Sequence, residues 1–210
     1  FIAINQTFDM RPAVYFLLFL LYFLAGCGTD PSSKVVITIA DEFQDQISNG
    51  RLLLLLHHAE TPEPRFAVSD EVGSAQVFGM DINDYQNGES LAFDLDAFGF
   101  PIANWQDIPT GEYWVQAYFI KYETFNRADG HTVKMPMDQW EGRQWNRPPG
   151  NIFSKAKKIS WDGTSPIELH MDQINPPVVE PADTEFIKHI KFKSKLLSDF
   201  WGRDMYLGAH

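Results

Sequence analysis

The stretch GEYWVQAYFIKYE, Gly111 to Glu123, decides the fold. Pro109 and Gly111 set a tight turn in front of it, and Tyr113, Val115, Ala117 and Phe119 then fall on one face at period two, the signature of a strand with one buried side. Further runs of the same kind lie on either side: KVVITIA (Lys34 to Ala40), GRLLLLLH (Gly50 to His57), AQVFGMDI (Ala75 to Ile82), SLAFDLD (Ser90 to Asp96), KKISW (Lys157 to Trp161), PIELHMD (Pro166 to Asp172) and FIKHIKFKS (Phe186 to Ser194). The dipeptides Asn49-Gly50, Asn87-Gly88, Asp129-Gly130 and Asp162-Gly163 punctuate them with residues that tolerate the positive φ of tight turns. No stretch between Lys34 and Ser194 keeps helical spacing for three turns. Short strands with frequent turns predict a mainly β domain over residues 34–172, an antiparallel β-sandwich.

Tyr113 refines this expectation. A tyrosine two residues after a turn glycine, entering a strand, resembles the corner of immunoglobulin-like sandwiches, where its hydroxyl bonds back to the backbone. A core tyrosine on any β-strand fits the same pattern, and both readings support a sandwich. Between Tyr122 and Ser154 the alternation fails, and a segment of that length without periodicity is often functional. Phe125 and Phe153 read as aromatics buried against the sandwich. Trp140 and Trp145, flanked by Asp138, Glu141, Arg143 and Arg147, read as a surface for another domain or a sugar ring. Residues 173–185, QINPPVVEPADTE, read as a stiff proline-bearing linker.

The net charge of −11 in 210 residues argues against a nucleic-acid partner, which needs clustered Lys and Arg. A single cysteine, Cys27, excludes an internal disulfide framework and any cysteine-rich zinc site. Its context explains it. Met10-Arg11, the apolar run Ala13 to Leu24 and the small residues before Cys27 describe an export signal helix, too short to span a membrane. The tetrad Leu24-Ala25-Gly26-Cys27 resembles a bacterial lipobox, which implies cleavage before Cys27, acylation there and stable anchoring by more than one chain. Gly28, rather than Asp, favours the outer over the inner membrane. Residues 10–26 are then the signal peptide and 27–33 a tether, while residues 1–9 resemble no part of a signal and are expected to lie outside the real product.

Chemistry is sparse. A serine hydrolase of the α/β type needs G-x-S-x-G on a strand-to-helix turn that pushes the serine toward a base and oxyanion donors. The nearest string, Gly88-Glu89-Ser90-Leu91-Ala92, has that context inverted: turn residues precede it and the strand-like FDLD follows. Gly163-Thr164-Ser165-Pro166 fails at its proline. His57 and His58 are adjacent, so on a strand they point to opposite faces and suit no single ion. Asp94 and Asp96, with Asp81 and Asp84, could hold Ca²⁺ at loops, but in so acidic a chain they read as solvated surface. No catalytic constellation, cofactor site or metal site is expected within these residues.

Three stretches, GEYWVQAYFIKYETFNRADG, PMDQWEGRQWNRPPGNIFS and PADTEFIKHIKFKSKLLSDFWGRDMYLGAH, together resemble the N-terminal part of secreted or lipid-anchored bacterial esterases related to enterochelin esterase and esterase D. The resemblance covers about Lys34 to His210. It implies an accessory β-sandwich ahead of an α/β-hydrolase domain with a Ser-His-Asp triad acting on a small ester, residues 186–210 being the opening of that domain. On this expectation Met205 to Ala209 form an orphan strand whose partners lie beyond His210, and residues 27–210 carry no esterase activity by themselves. A second reading is a stand-alone envelope lipoprotein that binds carbohydrate through Trp140 and Trp145.

Overall fold

The computed structural model describes residues 35–136, 144–179 and 182–209. The signal run, Cys27 and Trp140 lie outside them. The strands are β1 (Val35–Ile39), β2 (Gly50–His57), β3 (Gln76–Ile82), β4 (Leu91–Ala92), β5 (Gly99–Phe100), β6 (Gly111–Asn126), β7 (Thr132–Pro136), β8 (Ile152–Ser154), β9 (Lys157–Trp161), β10 (Ile167–Ile174), β11 (Ile190–Lys193) and β12 (Tyr206–Ala209). The first ten form one mixed sheet in the order β4-β1-β10-β8-β6-β2-β3-β5, with β7 and β9 also paired to β6.

The sheet is organised around β2 and β6, which run antiparallel from Gly50 opposite Lys121 to His57 opposite Trp114. Both are buried on both faces. Leu52, Leu54 and Leu56 pack with Tyr113, Val115, Ala117 and Phe119 in the main core, whereas Leu53 and Leu55 pack with Tyr118 and Ile120 in a second cluster on the opposite face. This is why GRLLLLLH is an unbroken apolar run instead of an alternating one. The main core also takes Val35, Ile37 and Ile39 from β1 and Ile167, Leu169 and Met171 from β10, so the sheet curls until its two limbs face each other. The chain passes from β4 to β5, the two ends of the path, through residues 93–98 alone.

The expectation of an antiparallel sandwich holds only as a mainly β domain, because the first ten strands join one curled sheet, and that sheet is mixed. β1 and β10 pair in parallel, Val35 opposite Ile167 through Ile39 opposite Met171. Alternation fixes which face a residue takes. It carries nothing about strand direction, which the intervening topology sets. Two of the irregular regions also gain order: β7 and β8 fall inside the stretch 122–154, and β10 continues through Gln173 and Ile174, into the stretch 173–185 read as linker.

Two local features follow their residue chemistry closely. The Tyr113 hydroxyl donates to the carbonyl of Pro109 at 2.9 Å, the back-bond expected of a tyrosine corner. At the β9–β10 turn the Asp162 carboxylate accepts from the backbone N–H groups of Thr164 (2.8 Å) and Ser165 (2.7 Å) and from the Ser165 hydroxyl (2.6 Å). These donors, the Ser165 hydroxyl foremost, hold its pKa well below the usual carboxylate range. Gly88, Gly130 and Gly163 have the positive φ their turns were expected to need. Gly50 does not; it opens β2 where a Cβ would collide with Phe119 and Ile120.

Candidate functional site

The second face of the sheet carries a buried polar cluster. The 3₁₀ turn Pro64–Phe66 lays Arg65 over the sheet, with its guanidinium carbon 3.7 Å from the ring centre of Phe153 and 4.5 Å from that of Phe66. Arg65 Nη1 donates to Asn175 Oδ1 at 2.8 Å and Nε to Glu63 Oε2 at 3.0 Å. Gln116, fully buried on β6, donates through Nε2 to Glu63 Oε2 (3.0 Å) and to the Ser154 carbonyl (2.9 Å), and its Oε1 accepts the Arg65 backbone N–H (3.2 Å). The Tyr118 hydroxyl accepts from Asn151 Nδ2 at 3.0 Å and Asn175 Nδ2 at 2.9 Å. Burying these groups is tolerable only because each finds partners.

The cluster joins pieces far apart in the sequence: the turn at 64–66, the middle of β6, the loop 144–151 and the residue after β10. It therefore fixes where the chain leaves the sheet domain. Trp145 belongs to this assembly. It is half-buried, packs on the second cluster and meets the Tyr118 ring edge-on, centroids 5.6 Å apart at 89°. Phe153 stacks on the same tyrosine at 6.1 Å and is partly buried against the sheet, as expected, whereas Phe125 is buried outside both core clusters. The sequence did not reveal the cluster; the one signal was Gln116 at a position whose neighbours Tyr118 and Ile120 share an apolar face.

The remaining polar candidates lie apart. Ser90 is exposed in the loop before β4, with no helix after it. His57 Nδ1 lies 3.0 Å from the Ala59 carbonyl, while the His58 ring lies 4.5 Å from that of Tyr113. His170 Nδ1 contacts Thr38 Oγ1 at 2.9 Å. Asp81 pairs with Arg51 at 2.8 Å, and Asp94 Oδ1 accepts the Asp96 N–H at 2.9 Å. Among the described residues no group of three His, Cys, Asp or Glu is placed to hold a metal ion.

The C-terminal segment forms a second structural feature. β11 and β12 pair antiparallel, Ile190 opposite Ala209 and Lys193 opposite Tyr206. The expectation that Met205 to Ala209 form a strand with no partner is thus corrected. Ser194 caps the helix Lys195–Trp201 by accepting from Leu197 N, Gly202 ends it in the left-handed conformation (φ 66°), and the chain returns beside β11. Periodicity missed this return because the helix is only seven residues long.

The resulting hairpin is amphipathic. One face carries Lys191, Lys193, Tyr206 and Gly208, with Lys193 paired to Asp204 at 2.5 Å. The other carries Ile190, Phe192, Leu207 and Ala209, and it is uncovered: Ile190, Phe192 and Leu207 are 57%, 52% and 40% exposed. A two-stranded sheet with a bare apolar face is marginal in water. Beside it lies an open polar cavity lined by Lys193, Lys195, Ser198, Asp199, Arg203 and Asp204, in which Lys195 pairs with Asp199 (2.5 Å) and Arg203 with Glu123 (2.8 Å). Its cations are neutralised in place, so it offers no evident anion site.

No family model, curated protein or solved structure matches the chain.

Proposed function

We propose that this chain is the accessory β domain of an exported, lipid-anchored esterase-like hydrolase, together with the opening of the catalytic domain. The observation that carries the reading is the β11–β12 hairpin, whose apolar face and open edges ask for further strands or helices. Its place directly after the linker is where the resemblance in FIKHIKFKS and FWGRDMYLGAH puts the first strands of an α/β-hydrolase domain. The substrate class is a small carboxylic ester, and the triad belongs to sequence beyond His210. The curled sheet is read as a variant of the immunoglobulin-like sandwich, on the strength of the Tyr113 corner and the pairing of its first strand with its last.

The coding sequence tests this reading. Past His210 it is expected to continue with a strand and then G-x-S-x-G or a close variant, followed by Asp or Glu and then His. A stop codon immediately after His210 would oppose the reading and promote the carbohydrate-binding lipoprotein. That alternative draws little support from Trp145, whose ring is engaged with Tyr118. Anchoring has its own check. In a bacterial host the protein is expected to incorporate labelled palmitate and to partition into detergent, and Cys27→Ala is expected to abolish both; undiminished labelling would refute acylation at Cys27.

A further inference from the structure

We infer that the outer end of the β6–β7 hairpin is an intramolecular docking arm, which grips the segment Lys195–Arg203 and so fixes the direction in which the C-terminal hairpin is presented. The pairing of β6 with β2 ends at Lys121 opposite Gly50, and from Tyr122 to Asn126 the ladder partner of β6 is β7. Past Tyr122, whose N–H donates to the Asn49 carbonyl at 2.9 Å, the hairpin extends beyond the end of β2. Phe125 nonetheless sits in it at only 5% exposure, and it belongs to neither core cluster. What covers it is the C-terminal segment: Trp201 packs edge-on at 5.5 Å between centroids, and the Arg203 guanidinium lies 4.8 Å from its ring centre.

Contacts of other kinds reinforce the same junction. Arg203 Nη1 meets Glu123 Oε2 at 2.8 Å, with both side chains about two-thirds shielded. Arg127, held by Asp129 at 2.6 Å, lies 5.1 Å over Phe200, and the Ala128 N–H donates to the Phe200 carbonyl at 2.5 Å. Gly202 faces the Asn126 carbonyl so closely that a Cβ would stand 3.1 Å from it, which adds a steric demand for glycine to the conformational one. Among the described residues the linker offers nothing comparable. Its described residues from Pro176 onward, and those on to Lys188, are exposed, and the Asp183 carboxylate contacts Lys188 and His189, its near neighbours in the sequence.

Orientation is thus set by the arm, and the linker supplies only the tether. This holds whether or not the chain leads into a hydrolase, because both partners lie within the described residues. Whatever covers Ile190, Phe192 and Leu207 inherits its direction from Glu123, Phe125 and Arg127.

Spin labels test the inference in the full chain, at Glu168→Cys on the exposed side of β10 and Lys195→Cys on the helix, with Cys27→Ser removing the native thiol. Double electron–electron resonance is expected to give one narrow distance distribution. Phe125→Ala probes the apolar contact, and Arg203→Glu probes the ionic one while leaving every core residue in place. Broadening by either variant, with the narrow distribution retained when Pro176 and Pro177 become glycine, supports the arm. A distribution already broad in the parent, unchanged by both arm variants, or broadened as much by the glycine pair would overturn it.

Discussion

Gly50→Ala is expected to destabilise the sheet domain by about 3 kcal/mol, the upper range for overpacking a core, and to lower Tm by roughly 10 °C for a domain of this size. Gly50 stands where β2 enters the sheet, opposite Ile82 on one side and Lys121 on the other. A Cβ there would come within 2.3 Å of the Ile120 carbonyl oxygen and 2.4 Å of Cζ of Phe119. The backbone oxygen is fixed by the ladder, and the Phe119 ring is fully buried in the main core, so neither can yield cheaply. Thermal melting followed by circular dichroism checks the prediction. A variant that melts with the parent would mean that β2 and β6 are not held as closely as described.

Arg65→Ala is expected to cost about 2 to 3 kcal/mol, through lost cation–π contact, lost packing and unpaired buried groups. The ionic share is the smaller part, since the Glu63 side chain is 45% exposed and solvent screens it. Removing the guanidinium leaves Asn175 Oδ1 without its 2.8 Å donor and opens the space between Phe66 and Phe153. Loss should concentrate around the cluster, so amide exchange in residues 144–151 is expected to accelerate more than in β1. Arg65→Lys should recover little, because an ammonium cannot serve Glu63 and Asn175 while lying flat on Phe153. Full stability in Arg65→Ala would show the cluster to be incidental to the fold.

These two sites mark the boundary of what the sequence discloses. β2 and β6 were legible because their apolar residues repeat over many positions, and the Tyr113 corner because its turn and hydroxyl lie four residues apart. Gly50 was legible only as a turn residue. Its actual demand comes from Phe119 and Ile120, far along the chain, and close approach leaves no local signal. The cluster around Arg65 failed to show for the same reason: Glu63, Arg65, Gln116, Asn151 and Asn175 meet only after β2, β6, β8 and β10 have paired. The parallel direction of β1 against β10 is likewise a property of the whole path.

At the C-terminus the balance differs. FWGRDMYLGAH announced a strand at Met205 to Ala209, and β12 is there. Its partner β11 was also visible as an alternating run, but the short capped helix between them hid their pairing. The docking arm was hidden more deeply, since Phe125 and Trp201 each look like an ordinary apolar residue until they are seen to cover one another.

The most direct measurement of the proposed function is ester hydrolysis by two proteins prepared side by side, the chain from Cys27 to His210 and the longer product that the proposal expects past His210. A serine without a base and oxyanion donors is an ordinary alcohol, so the shorter protein is expected to hydrolyse p-nitrophenyl acetate no faster than an unrelated protein. The longer one is expected to turn it over and to lose that turnover when its elbow serine is replaced by alanine. Turnover by the shorter protein that disappears in Ser90→Ala, or no turnover by the longer one, would contradict the account.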